Sequence, residues 1–230
     1  MMFTQTVDLA KTSVRSLNEK LHALDPEHDG ERWRVLNPRG AHAIACGLRV
    51  PVTIEIEGHA GYYCAGMNQK ATVTVHGNAG TGLAENMMSG IVHVNGNASQ
   101  CAGATGHGGL LIIEGDASAR CGISMKGIDI VVKGSVGHMS AFMAQVGNLV
   151  VCGDAGDALG DSIYEAQLFV RGTVKGLGTD CVEKEMRSEH YHVLEPLLKR
   201  SGCDASPSEF KRYGSARKLY HFQVDHAALY

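Results

Sequence analysis

Two stretches of the 230-residue chain carry the glycine spacing of a phosphate-cradling loop: GTGLA at residues 80–84 and GDAGDALG at residues 153–160. Such a loop binds an anion because its glycines let several backbone N–H groups converge at the start of a helix. Neither stretch ends in the Gly-Lys-Ser/Thr that grips a terminal phosphate, and neither opens a helix in an α/β unit. His190 and His192 have the donors for a metal ion, but on a helix they point to different sides, with no other ligand cluster nearby. Cys181 follows Asp180 at an expected helix N-terminus, a setting that lowers a thiol's pKa, yet no base is placed to use it. Glu183 and Glu185 are expected to be solvated. The chemistry-bearing types are therefore present without the partners that chemistry requires, and the elements that position them need a different explanation.

Composition bounds that explanation. The chain is 44% hydrophobic and 20% charged with a net charge of −3, so it has the make-up of a globular protein and no basic footprint for nucleic acid or anionic lipid. No apolar run is long enough to cross a bilayer, and the first thirty residues hold no apolar stretch of signal-peptide type; a cytoplasmic location is expected. The seven cysteines are odd in number and lack C-x-x-C, which reads as thiols rather than a disulfide framework. Glycine, at 29 residues, is well above its usual share.

The glycines are in register. Gly58, Gly77, Gly96, Gly115, Gly134, Gly153 and Gly172 stand 19 residues apart without a slip. Apolar pairs precede them: Ile54/Ile56, Val73/Val75, Val92/Val94, Leu111/Ile113, Ile130/Val132, Leu149/Val151 and Leu168/Val170. A small or branched residue follows two positions later, from Ala60 to Val174, and Ala or Gly seven positions later, from Ala65 to Gly160. An apolar-x-apolar pair is a short strand with one buried face, and the glycine permits a corner with positive φ or a close backbone approach. A unit this short cannot bury its own face, whereas stacked units share one core. Coils pairing at about 4.8 Å per turn make a parallel β-helix. A 19-residue turn does not divide into hexapeptides, and the glycine–aspartate nonapeptides of the calcium-binding type are missing, so the right-handed form is expected.

An open solenoid end is an unpaired sheet edge and needs a cover. Residues 1–51 are expected to supply one, with Val14, Leu17, Leu21 and Leu24 as an apolar helical stripe and Ser16 with Glu19 as a capping box. Residues 52–178 form the β-helix, and residues 179–230 a helical cap and tail. There, Asp180 and Glu183 mark a helix running to about Arg200 before Gly202, with a bend at Pro196. Ser206, Pro207 and Glu209 start a second helix that ends at Gly214, and the aromatic, basic tail beyond packs along the prism or onto a partner.

On this scaffold Cys64 and Cys121 share a column three turns apart, about 14 Å and too far to bridge, while Cys101 and Cys121 fall on adjacent turns. Small buried hydrophobes are the expected role. One face resists so plain a reading. Eight to twelve residues after each glycine the coils place Met67, Asn86, Met87, Met88, Ser89, Met125, Lys126 and Met143. Methionine mixed with amides and hydroxyls is the composition of an adaptable interface, with inward gap-filling methionines as the alternative.

The longer strings carry a resemblance. The glycine register resembles the GXGXG β-helix domain of the glutamate synthase large subunit, which also occurs in the β-helix subunit of formylmethanofuran dehydrogenase. WRVLNPRGAHAIACGL, GYYCAGMNQKATV, AENMMSG, AGATGHGGLLIIEG, ARCGISMKGIDIVVKGSVGHMSAFMAQ, CGDAGDALGDSIYEA, DCVEKEMRSEH and FKRYGSARKLYHF are together similar to the stand-alone β-helix subunit of N-methylglutamate synthase and its glutamate-synthase-like relatives. The resemblance implies a non-catalytic scaffold that holds a class II glutamine amidotransferase-like subunit against an FMN and iron-sulfur glutamate synthase-like subunit. It implies a complex that converts glutamate and methylamine to N-methylglutamate and ammonia, with both cofactors in the partner and none in this chain. It transfers no catalytic residue. A subunit of a formylmethanofuran dehydrogenase-type complex is the first alternative. A stand-alone β-helix lyase or transferase is the second, disfavoured because aromatics are only 6% and no Asp/Arg/aromatic cluster recurs on one phase.

Overall fold

The computed structural model describes residues 3, 5–25 and 30–217. They form a parallel β-solenoid built on one eleven-stranded sheet, in the order β1-β2-β3-β4-β5-β6-β7-β8-β9-β11-β10. The seven strands of the glycine register are β3 (Thr53–Glu57), β4 (Thr72–Val75), β5 (Ile91–Val94), β6 (Leu110–Ile113), β7 (Lys126–Val132), β8 (Val146–Val151) and β9 (Gln167–Val170). Each pairs in parallel with the next at a 19-residue step, as Ile54 with Val73 and Leu149 with Leu168, apart from an irregularity at the start of β7, where Lys126 pairs with Val146. The inward members of the apolar pairs are fully buried, and Ala60, Ala79, Ala98, Ala117, Val136, Ala155 and Val174 form a second parallel bridge column.

The register glycines serve close approach rather than positive φ; only Gly58, at φ 132°, lies in the left-handed half of conformational space. A Cβ on Gly115 would stand 2.0 Å from Asn97 Oδ1 and 3.0 Å from the Gly96 carbonyl oxygen. The reason is a polar ladder in the next column. Asn97 N donates to Asn78 Oδ1, Asp116 N to Asn97 Oδ1, Ser135 N to Asp116 Oδ1, Asp154 N to Ser135 Oγ and Thr173 N to Asp154 Oδ1, all at 2.7–3.0 Å. Each acceptor crosses the space that a side chain on the next glycine would fill. The corner further on does use positive φ: Ala65, Ala84, Gly103, Gly122, Ala141 and Gly160 lie between 53° and 68°.

The parallel ladder begins before residue 52. β1 (Gln5–Asp8) pairs with β2 (Arg32–Leu36), and β2 with β3, so the N-terminal segment is solenoid as well as cap. Between them α1 (Val14–His22) covers the open end with Leu17 and Leu21 fully buried and Val14 and Leu24 packed beside them. Its N-cap is Ser13, whose Oγ accepts from Ser16 N at 3.1 Å; the expected Ser16 cap is one turn late, and Glu19 pairs with Arg15 instead. Asn18 substitutes for a missing coil, donating to the Ala43 carbonyl at 2.8 Å and accepting from Ala45 N at 3.0 Å.

At the other end two expectations are corrected. Asp180 takes φ 65° and leads into a strand, β10 (Cys181–Lys184), so the helix starts later, as α2 (Ser188–Ser201). It contains Pro196 and closes on Gly202 at φ 64°. Ser206 and Glu209 do form a capping box, but on a single 3-10 turn, Pro207–Glu209; Gly214 then sits within β11 (Lys211–Ser215). β11 runs antiparallel to both β9 and β10, which ends the parallel stack. From β3 onward the outer surface of the sheet changes character along its length. Thr53, Glu55, Thr72, Thr74 and His93 are half-buried, while Leu110, Ile112, Val131, Val150 and Phe169 are buried in a second core with Leu194, Leu197 and Leu198 of α2 and Phe210. The tail at residues 218–230 lies outside the described residues.

Candidate functional site

The glycine-rich stretches are coil corners. Leu83 and Leu159 within them are buried, Gly82 and Gly160 take φ 74° and 66°, and no helix follows. The HYH histidines separate as expected: His192 is exposed, and His190 is buried with Nδ1 accepting from Arg187 N at 3.0 Å, closing the first turn of α2. Burial first, and then the guanidinium of Arg212, lowers the His190 pKa and favours the neutral ring that this contact needs. Among the described residues no group of three or more His, Cys, Asp or Glu side chains is arranged to hold a metal ion.

Four of the seven cysteines are buried, and Cys46, Cys101 and Cys203 are partly exposed. Cys64 and Cys121 are fully buried, and burial raises both thiols, Cys121 to about 12. Cys181 corrects the expectation of an activated thiol: on a strand rather than at a helix N-terminus, it is buried and pushed up to about 11. One pair had no sequence signal. Cys152 Sγ and Cys203 Sγ, 51 residues apart, approach to 3.3 Å. Cys152 directly follows β8 on the outer side of the sheet, and Cys203 follows the C-cap of α2, so only the folded position of that helix joins them.

The methionine-bearing segment divides by parity. Met67, Asn86 and Met143 take φ 56°, 54° and 51° nine residues after their glycines, and all three are exposed or partly exposed. Met88, Ser89 and Lys126 are also exposed. Met87 and Met125, ten residues after theirs, are fully buried; as interface candidates they are corrected to core. The left-handed residue rotates the chain so that the next side chain enters the solenoid and the one after leaves it. Buried Asn68 occupies the same inward column, its amide donating to the Ala71 and Ser89 carbonyls at 2.8 and 3.2 Å.

Tyr62 and Tyr63 are further apolar residues on this corner face, half exposed at 52% and 50%, beside Met67 at 53% and Met88 at 47% on the next coil. The Tyr62 ring stacks on His42 at a 4.5 Å centroid distance. An open cleft of 460 Å³ adjoins Met67, bordered by Leu21 and His22 of α1, Arg49 and Gln69. The signal for the two tyrosines was the doubled aromatic of GYYCAGM, which stands earlier on the same corner than the methionine column.

Comparison with known proteins places this geometry. No family model matches the chain, and no solved structure matches it. The chain is 62% identical over 225 residues to Protein GlxC of Rhizobium meliloti strain 1021, covering 97% of this chain and 99% of that protein. The chain belongs to the family of Protein GlxC.

Proposed function

We propose that this protein is a non-catalytic scaffold subunit of a glutamate-synthase-type complex, and specifically of an N-methylglutamate synthase. Its partners on this reading are a class II glutamine amidotransferase-like chain and an FMN and iron-sulfur synthase-like chain. The complex exchanges the amino group of glutamate with methylamine, giving N-methylglutamate and ammonia, and the flavin and cluster reside in the partner. The carrying observation is how the polar side chains are used. The column of Asn78, Asn97, Asp116, Ser135 and Asp154 is taken up by backbone N–H groups of the next coil. Glu55 with His76 and Glu114 with His93 pair across coils at 2.6 Å. These groups stiffen the prism, while Tyr62, Tyr63, Met67 and Met88 remain exposed on one corner, a composition suited to a protein partner. A rigid body with an apolar corner is what holding two active subunits in register requires.

The test is co-expression of the affinity-tagged full chain with an amidotransferase-like chain and a synthase-like chain of the same organism. The expected result is a stable three-chain complex that forms N-methylglutamate from glutamate and methylamine, with flavin absorbance lost from the tagged chain when the synthase-like chain is omitted. A tagged chain that purifies alone in the presence of both others contradicts the scaffold reading.

A further inference from the structure

The thiol pair at the end of α2 has no part in the scaffold reading and carries its own chemistry. We propose that Cys152 and Cys203 are a reversible disulfide site, oxidised by exchange with a low-molecular-weight disulfide, which clips the C-terminal end of α2 to the solenoid. The sulfurs are 3.3 Å apart in the folded protein, so bond formation needs little more than a side-chain adjustment. Both sides of the junction are fixed. The Gly202 carbonyl accepts from Lys133 Nζ at 3.2 Å, the Cys152 carbonyl accepts from Arg171 Nε at 2.9 Å, and Cys203 N donates to the Leu198 carbonyl at 2.9 Å.

The two thiols differ in a way that orders the steps. Cys203 is partly exposed and Cys152 is buried. Burial, with the neighbouring Cys203 adding to it, pushes Cys152 up to about 12, against an opposing pull from Arg171 and Lys133. Cys203 is therefore the entering nucleophile. Its thiolate attacks one sulfur of oxidised glutathione, forming a protein–glutathione mixed disulfide and releasing one glutathione thiolate. Cys152 then attacks the Cys203 sulfur, the second glutathione thiolate leaves, and the Cys152 proton passes to it. Two protein thiols are oxidised to one disulfide, and one glutathione disulfide is reduced to two glutathione thiols. The bond closes a loop that contains all of β9, β10 and α2, and holds the helix over Val150 and Phe169.

The native full-length chain is incubated with oxidised glutathione, digested without reduction and mapped by mass spectrometry, with free thiols titrated in parallel. The expected result is a Cys152–Cys203 cross-linked peptide, loss of two of the seven thiols, recovery of both with dithiothreitol, and slower amide exchange in α2 of the oxidised form. Cys203→Ser is expected to abolish the cross-link and leave the remaining thiols unreacted. A glutathione adduct that persists on Cys203, cross-linking through Cys46 or Cys101, a cross-link that forms only in denaturant, or no loss of thiol each overturns the proposal.

Discussion

The outer surface of the strands and the corner that bears the methionines repeat on the same 19-residue period and meet opposite fates. On the strand side, the coils from β6 onward turn Leu110, Ile112, Val131, Val150 and Phe169 outward, and the chain covers them itself with α2 and Phe210. On the corner side, Tyr62, Tyr63, Met67 and Met88 turn outward, and among the described residues nothing of comparable size lies over them. Both surfaces carry large apolar side chains, although the corner mixes them with exposed Asn86, Ser89 and Lys126. The difference lies in geometry: an extended strand presents a flat row that a helix can cover, whereas the left-handed residues at Tyr63, Ala65 and Met67 make an uneven corner on which single side chains stand apart. The chain completes one surface internally and leaves the other exposed among the described residues.

The largest effects should come from breaking the shared frame. Phe169→Ala empties the centre of the outer core and is expected to cost about 3–5 kcal/mol in chemical denaturation. Gly115→Val places a branched side chain across Asn97 and the Gly96 carbonyl, and about 3 kcal/mol or more is expected. Gly202→Ala is the control: no backbone crowds that position, so only the left-handed C-cap conformation is penalised, by about 1–2 kcal/mol. Equal costs at Gly115 and Gly202 would mean that the polar ladder does not dictate the register glycines.

Smaller changes sharpen the contrast between the ends and the middle. Asn18→Ala removes both hydrogen bonds with which α1 completes the first corner, and about 1–3 kcal/mol is expected, read as a shift in denaturation midpoint. The smallest effect is the pH response of His190. Its folded pKa lies below the ordinary value of 6.5, so its contribution is complete above that pH and is lost as pH falls through the folded value. Amide-exchange protection at the start of α2, measured relative to the intrinsic exchange rate at each pH, should therefore fall on acidification below about pH 6.5, and His190→Gln should flatten that dependence.

How far the sequence could be read follows from where the period holds. Between Gly58 and Gly172 the strand column and the small-residue column that follows each glycine are legible, because each coil repeats the same residue types at the same phase. The polar column after the glycines, from Asn78 to Thr173, was in plain view; its meaning needed the knowledge that a side chain from one coil lies over the glycine of the next. β2 was hidden because Val35 pairs with Ile56 at a 21-residue step, and β1 because α1 intervenes before its partner. At the C-terminus, Asp180 and Glu183 have the types of a helix start, but pairing of Val182 with Gly214 overrides local preference. Met87 and Met88 are adjacent and chemically identical, so only the left-handed Asn86 before them decides which is core and which is surface.

That adjacent pair provides the most direct test of the central claim, that the exposed corner is where partners bind. Met88→Glu and Met87→Glu are each co-expressed with the proposed amidotransferase-like and synthase-like partners, and the fold is followed by circular dichroism. Met88→Glu is expected to leave the solenoid folded with an unchanged melting temperature and to abolish co-purification, because a carboxylate buried at an interface without a partner costs several kcal/mol. Met87→Glu is expected to unfold the chain, since the same carboxylate would enter a fully buried column. An intact, fully active complex carrying Met88→Glu would contradict the account.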